Sequence, residues 1–120
     1  MDGGLRPLCW VGSARKSLKS MPDKVQDAFG FALFLAQTGR MHSSAKALKG
    51  FGSAGVLEFV EDHVGSTYRA VYTVRFANAV YVLHCFQKKS KSGVATPKAE
   101  MEIVRERLKA AEADSKGTRS

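Results

Sequence analysis

Three strand-like stretches in the middle of the chain constrain the fold more than any other feature. Gly55 to Asp62, Thr67 to Phe76 and Ala79 to Gln87 each have the period of two that predicts a β-strand. The links between them are short: residues 63–66 form a four-residue loop, and Ala77-Asn78 suits a two-residue hairpin because asparagine tolerates positive φ. Consecutive strands joined by such short links pair antiparallel, so the sequence predicts an antiparallel sheet.

Helical signals precede these strands. Arg6 to Val11 predicts a short leading strand, and Ala14 to Lys19 a short basic helix. A longer helix begins near Pro22 and ends at Gly39. Its predicted core face has helical spacing and comprises Val25, Ala28, Phe29, Ala32, Leu33 and Ala36. Phe31, Phe34 and Leu35 make the opposite side apolar as well, and we expect them in the core too. Residues 40–55 read as a basic connector rich in glycine and serine.

A final amphipathic helix follows the strands. Thr96 is its predicted N-cap and Pro97 its first residue, and Met101, Val104, Leu108 and Ala111 line its inner face. The elements together predict an α+β fold. We expect a single domain over residues 1–114 and a frayed tail over 115–120.

The turns fix which residues of neighbouring strands face each other. They place Arg69 opposite Phe86 and Val60, Val71 opposite His84 and Glu58, and Thr73 opposite Val82 and Val56, with Arg75 opposite Val80. One sheet face is then almost wholly apolar and is expected to carry the helices: Leu57, Phe59, Ala70, Tyr72, Val74, Tyr81, Leu83 and Cys85. The opposite face is mixed, and a sheet with one apolar and one mixed face is ordinary.

The mixed face brings a carboxylate, a guanidinium and an imidazole together. Glu58 and His84 flank Val71 with Arg69 diagonal to each, and Lys88 and Lys89 follow on the same strand. Such a set suits phosphodiester cleavage without a metal, because RNA supplies its own 2′-hydroxyl nucleophile. Histidine serves as acid or base near neutral pH, and the cations stabilise charge on the phosphate. Two simpler interpretations stay open: Glu58–Arg69 as a structural ion pair, and His84 as a partly buried strand residue.

Charge and composition narrow the possible partners. The 120 residues carry a formal charge of +8, and the excess belongs to residues 1–99 because the last helix is neutral. A polyanion is therefore the expected partner. No apolar run approaches the roughly 20 residues of a membrane span, and the N-terminus has no signal-peptide pattern, so a cytoplasmic protein is expected. Cys9 and Cys85 have no metal-ligand spacing, and we expect neither metal nor cofactor.

The strand sequences resemble a known family. The run from Tyr68 to Tyr72 (Tyr-Arg-Ala-Val-Tyr), followed by His84-Cys85-Phe86-Gln87-Lys88-Lys89-Ser90, is similar to the phage-derived, HigB-like branch of the RelE/ParE toxins. Leu48-Lys49-Gly50-Phe51 and Thr96-Pro97 extend this likeness, which covers about residues 7–112. It implies two N-terminal helices packed on a twisted antiparallel sheet with a C-terminal helix.

The resemblance also implies an activity and a partner. Such proteins are toxins of type II toxin–antitoxin pairs that cleave mRNA on translating ribosomes, and a helix-turn-helix antitoxin neutralises them in a hetero-oligomeric complex. Arg69 matches the strand arginine that contacts the scissile phosphate, and Lys88 and Lys89 match the basic residues after the last strand. Lys49 lies in the basic segment before the sheet, and we expect Lys46, Lys49, Arg75 and Lys91 to contact RNA.

The chain departs from the RelE pattern near its C-terminus. Several relatives have a tyrosine or histidine there as acid or base, and this chain has none, so His84 or Glu58 would fill that role. Three alternatives remain: a ParE-like inhibitor of DNA gyrase, another non-catalytic host-binding phage protein, and an inactive prophage remnant. A shared fold does not decide among them.

Overall fold

A computed structural model describes residues 5–52, 55–88 and 96–117. Eight elements follow one another along these residues: β1 (Leu8–Trp10), α1 (Ala14–Lys19), α2 (Asp23–Gln37), β2 (Ala45–Ala47), β3 (Val56–His63), β4 (Ser66–Thr73), β5 (Val80–Lys88) and α3 (Lys98–Gly117). The strands form one five-stranded sheet in the order β1-β5-β4-β3-β2. The predicted α+β class and C-terminal helix are confirmed, and α1 and α2 are the two predicted N-terminal helices.

The sheet is mixed, so the prediction of a wholly antiparallel sheet is wrong in part. β3, β4 and β5 pair antiparallel as predicted, and β2 adds to β3 from within the segment predicted as a connector. β1 pairs parallel to β5 through residues 8–10 and 80–82. A three-residue strand has too few side chains for its sequence to specify its partner, which is why neither edge strand's pairing was predicted.

The β3–β4 turn is tighter than predicted. His63 pairs with Ser66, so the loop contains only Val64 and Gly65, and both have positive φ (47° and 77°). Positive φ at both central residues matches the right-handed twist of the strands in a two-residue hairpin. The β3–β4 register itself is confirmed: Glu58 faces Val71 and Val60 faces Arg69.

A β-bulge divides the β4–β5 ladder. The predicted pairs Arg69–Phe86 and Val71–His84 are confirmed, but Thr73 pairs with Tyr81 instead of Val82. The register shifts between Val71 and Tyr72, which leaves Leu83 as the extra residue of β5. The predicted Arg75–Val80 pair is also wrong, because β4 ends at Thr73.

The bulge exchanges the two faces of β5, so part of the predicted apolar face is wrong. Tyr81 and Leu83 pack with Val104 on the α3 side of the sheet, whereas Val80 and Val82 pack with the α2 side. The sheet is therefore buried on both faces, with α1 and α2 on one and α3 on the other. The mixed face predicted from the sequence lies under α3.

The helices confirm their predicted inner faces and correct three details. The predicted α2 stripe is buried, with Ala28 partly so, but Phe31 and Phe34 are 54% and 44% exposed. At the start of α3, the Pro97 carbonyl accepts the Met101 N–H (3.0 Å), so Pro97 is the cap and Thr96 lies one residue outside the helix. α3 continues through Gly117, beyond the position at which the sequence places a frayed tail.

Candidate functional site

Under the start of α3, the sheet carries a buried charged cluster. Arg69 Nη1 donates to Glu58 Oε2 at 2.6 Å, and each residue is only 4% exposed. The Thr96 hydroxyl donates to the same Glu58 oxygen (2.9 Å) and accepts from Arg69 Nη1 (3.2 Å). The diagonal placement of residues 58 and 69 on adjacent strands predicted this pair, and Thr96 is a third member that the sequence did not reveal.

Lys88 belongs to the same electrostatic environment. It faces Thr67 across the β4–β5 ladder and is 7% exposed. Burial lowers the pKa of Lys88, the nearby Arg69 charge lowers it further, and Glu58 acts in the opposite direction. The structure therefore brings together three of the five predicted catalytic residues, namely Glu58, Arg69 and Lys88. Lys89 lies outside the described residues.

His84 joins a second cluster, built with α3. Its Nε2 lies 2.6 Å from Glu100 Oε1, and its Nδ1 lies 3.4 Å from Arg107 Nη1. The sequence predicted Glu58 as the carboxylate that shares a patch with His84. In the structure Glu58 bonds Arg69 and Thr96, and the carboxylate beside His84 is that of Glu100.

Arg107 is fixed from two sides. Its Nη1 donates to the Leu83 carbonyl (2.9 Å) and its Nη2 to the Ser13 hydroxyl (3.1 Å), so it links β5 to the residue before α1. Gly12 makes room for the guanidinium: a Cβ at this position would lie 2.8 Å from Arg107 Nε. The φ of Gly12 is +57°, a region that favours glycine.

The surroundings keep the His84 imidazole neutral near pH 7. Burial is the main cause that lowers its pKa from 6.5, Arg107 lowers it further, and Glu100 raises it. The ring also stacks on Phe86, with centroids 4.8 Å apart and planes 25° apart. A buried, neutral imidazole of fixed orientation results.

A cavity of about 340 Å³ opens beside His84 and Glu100. In the described part of the chain, β1 pairs only with Val80–Val82, so the remainder of β5 is a sheet edge and the cavity lies along it. Tyr68 and Gln87 form part of its wall, and hydroxyl groups near the end of α1 line the other side. The cavity places an acid–base pair within reach of solvent.

The remaining predicted residues lie at the surface or outside the description. Lys46 is exposed and faces Glu58 across the β2–β3 ladder, and Lys49 is exposed just after β2. Arg75 is exposed and lies over the Phe76 ring at 5.6 Å. Lys91 lies outside the described residues.

A further cavity of about 260 Å³ lies between β1 and α3. Tyr81 donates to Asp114 there (2.8 Å), and burial, with Asp114 nearby, raises the pKa of the Cys9 thiol. Cys85 is buried, and burial raises its pKa to about 12. Both thiols are therefore protonated and weakly nucleophilic. Among the described residues, no group of histidine, cysteine and acidic side chains has the arrangement of a metal site.

Sequence reasoning missed Thr96, Glu100 and Arg107, although a signal for two of them exists. Glu100, Val104, Arg107 and Ala111 follow one another at intervals of four, three and four, so they share one helix face. That face is the buried one, and a charged residue on a buried stripe requires a partner. Thr96 has no comparable signal, because its role depends on where the helix begins.

The comparisons with known proteins give one match. A family model described as "Phage derived protein Gp49-like (DUF891)" matches residues 16–109, which include every residue of the two charged clusters. No curated protein and no solved structure matches the chain. Within the described residues, the helices are too short or too polar to cross a membrane.

Proposed function

This chain belongs to the phage-derived Gp49-like protein family, a family of RelE/HigB-like toxins, and from that membership we propose that it is a toxin of the HigB-like branch that cleaves mRNA. It acts in the cytoplasm on translating ribosomes, without a metal ion. A helix-turn-helix antitoxin neutralises it in a hetero-oligomeric complex. The net charge of +8 supports an RNA partner.

The observation that carries the proposal is the His84–Glu100 pair at the wall of the 340 Å³ cavity. Cleavage of RNA by its own 2′-hydroxyl requires a group that removes the hydroxyl proton, and a bonded imidazole–carboxylate pair is suited to that step. Sites of this size usually hold small organic ligands, and one nucleoside is of that class. The pair and the cavity thus supply the two elements that the reaction needs.

Positive charge on the sheet face that carries His84 completes the proposed site. Arg69 and Lys88 lie on the same sheet face and provide this charge, and Lys89, which follows Lys88 in the sequence, is proposed to act with them. The exposed Lys46, Lys49 and Arg75, together with Lys91, contact the RNA backbone. Developing charge on the phosphate is the term that such cations stabilise most strongly in phosphoryl chemistry.

A second candidate function rests on the burial of Arg69. At 4% exposure and bonded to Glu58, this guanidinium has the surroundings of a structural ion pair rather than those of a phosphate ligand. That favours a non-catalytic protein, such as a ParE-like gyrase inhibitor, whose toxicity depends on an exposed surface.

Mapping RNA ends in a translation reaction separates the two functions. We expect the purified chain to produce new 5′-hydroxyl ends in mRNA. Metal dependence is measured separately by adding EDTA to the chain and free RNA, because ribosomes require magnesium. Glu100→Gln should strongly reduce cutting, and His84→Gln should reduce it to a smaller extent. His63→Gln and Glu112→Gln, which change the same residue types outside the site, should cut as the wild type does. Intact mRNA together with gyrase inhibition would establish the second function.

A genetic test addresses the antitoxin. Induction of the chain alone should arrest growth, and co-expression of an adjacent small reading frame encoding a helix-turn-helix protein should restore it. The two products should purify as one complex. A neighbour that neither restores growth nor binds the chain would contradict the toxin–antitoxin assignment.

A further inference from the structure

We propose that Glu100 is the group that accepts the 2′-hydroxyl proton, and that His84 and Arg107 are positioning residues that act through it. This inference rests on the proposed function and assigns the roles within its acid–base pair. The sequence indicated His84 as the acid or base, whereas the contacts made by α3 indicate Glu100, the residue that bonds His84.

The first argument is the direction of the hydrogen bonds. A guanidinium has only donors, so Arg107 Nη1, 3.4 Å from His84 Nδ1, favours the tautomer with a lone pair on Nδ1. The single proton of the neutral ring then lies on Nε2 and is donated to Glu100 Oε1 at 2.6 Å. Both ring nitrogens are thereby engaged by α3. The lowered pKa of His84 is consistent with this neutral form.

The second argument is accessibility. The His84 side chain is 9% exposed and stacked on Phe86, whereas the Glu100 side chain is 29% exposed and borders the cavity. Within the described part of the chain, His84 is the hydrogen-bond partner of Glu100 and occupies one of its two oxygens. A carboxylate has about four acceptor positions, so Glu100 can accept a further proton or hydroxyl while it keeps His84.

The third argument is the shape of the cavity around Glu100. Tyr68 and Phe86, each 8% exposed, contribute aromatic surface to its wall, and Gln87 contributes an exposed amide whose nitrogen also donates to the Ser66 hydroxyl at 3.0 Å. Aromatic surface suits the flat face of a base, and an amide donates to and accepts from a base edge. The cavity therefore orients a nucleoside whose 2′-hydroxyl lies at Glu100.

The reaction balances without a metal or cofactor. The 2′-oxygen gives its proton to Glu100 and forms a bond to phosphorus, while the bond from phosphorus to the 5′-oxygen of the next nucleotide breaks. That oxygen leaves with a proton from water. The products are a 2′,3′-cyclic phosphate and a 5′-hydroxyl, and the Glu100 proton returns to solvent. A single 2′-deoxy substitution at the cut site should prevent cleavage.

Paired variants test the assignment of roles. Glu100→Gln keeps size and shape but removes the basic oxygen, and we expect cleavage to fall by about 10²–10⁴-fold. His84→Gln keeps a donor toward Glu100, and its loss should be at least tenfold smaller. Glu112→Gln, which changes a carboxylate on the exposed side of α3, should cleave at the wild-type rate. A larger loss in His84→Gln than in Glu100→Gln would overturn the proposal.

A measurement on the folded protein tests the positioning role separately from activity. The ¹⁵N shifts of His84 should report a neutral ring protonated on Nε2, and Arg107→Met should shift them toward a mixture of tautomers. Gly12→Ala, which crowds the same guanidinium, serves as a second variant if Arg107→Met does not fold. A ring protonated on Nδ1 in the wild type would refute the assignment. A wild-type chain that leaves RNA intact would instead refute the proposed function.

Discussion

Replacing Arg69 by methionine is expected to destabilise the fold by about 3–5 kcal/mol, because it leaves a buried carboxylate without its counter-charge. Glu58 and Arg69 are each 4% exposed and joined at 2.6 Å. Typical domains have a total stability of about 5–15 kcal/mol, so this single substitution removes a large part of it. Glu58→Leu should cost a similar amount, since it removes the counter-charge of the buried guanidinium.

The double variant Glu58→Leu/Arg69→Met should recover most of this loss. Replacing both charges by apolar side chains removes the desolvation penalty together with the attraction, and such replacements are often neutral or stabilising. Thr96 loses both of its partners in this variant, but it is only half-buried and can bond to water. Thr96→Val should therefore cost about 1 kcal/mol in the wild type and almost nothing in the double variant.

Urea unfolding followed by circular dichroism measures all of these free energies. The exposed pair Lys116–Glu112, at 3.6 Å, provides the control, and Glu112→Gln should change stability by less than about 0.5 kcal/mol. If Arg69→Met cost no more than this control, the buried-pair reasoning would be refuted. The result also affects the interpretation of toxicity assays. If removal of Arg69 destabilises the fold this much, a loss of toxicity in Arg69→Ala reflects unfolding as much as loss of catalysis.

Three further predictions concern His84, Gly12 and Val64. Burial lowers the pKa of His84 below 6.5, so the unfolded chain binds the His84 proton more readily than the folded chain does. The contribution of His84 to stability is therefore complete above pH 6.5 and is lost as the pH falls through the folded pKa. Urea titrations between pH 8 and pH 5 should show this slope in the wild type and a smaller one in His84→Gln. Gly12→Ala should cost about 1–2 kcal/mol from its positive φ and the contact with Arg107, measured as a lower urea midpoint. Val64 is 88% exposed at a φ of 47°, and Val64→Asn should raise the free energy of unfolding by up to about 1 kcal/mol. An unchanged urea midpoint would contradict the turn assignment.

The sequence predicts the elements of this fold well because their signals are local. Strand alternation, the α2 stripe and the turns determine three strands, three helices and the β3–β4 register without reference to the rest of the chain. Register also predicted that Glu58 and Arg69 would meet. Pairing of the short strands β1 and β2 depends on which sheet edges remain available, and no local pattern encodes that.

The bulge at Leu83 had the largest effect on the prediction of the site. Residues 80–87 are almost all apolar, with only His84 and Gln87 polar, so no change of pattern marks the position at which one residue is inserted. One extra residue in β5 moves the side chains that precede it in the strand to the opposite face of the sheet, so that Tyr81 and Leu83 lie on the α3 side. His84 keeps its predicted face, but the same face now has a helix over it.

The contacts of α3 with the sheet explain two of the charges in this neutral helix. Residues 100–120 carry equal numbers of acidic and basic residues, so the positive excess of the chain lies on residues 1–99. Yet two of those charges, Glu100 and Arg107, point inward and complete the His84 cluster, and Thr96 before the helix completes the Glu58–Arg69 cluster. A buried histidine and a buried ion pair require such partners to be stable. The packing of α3 on the sheet therefore both closes the core and brings Glu100 and Arg107 to His84.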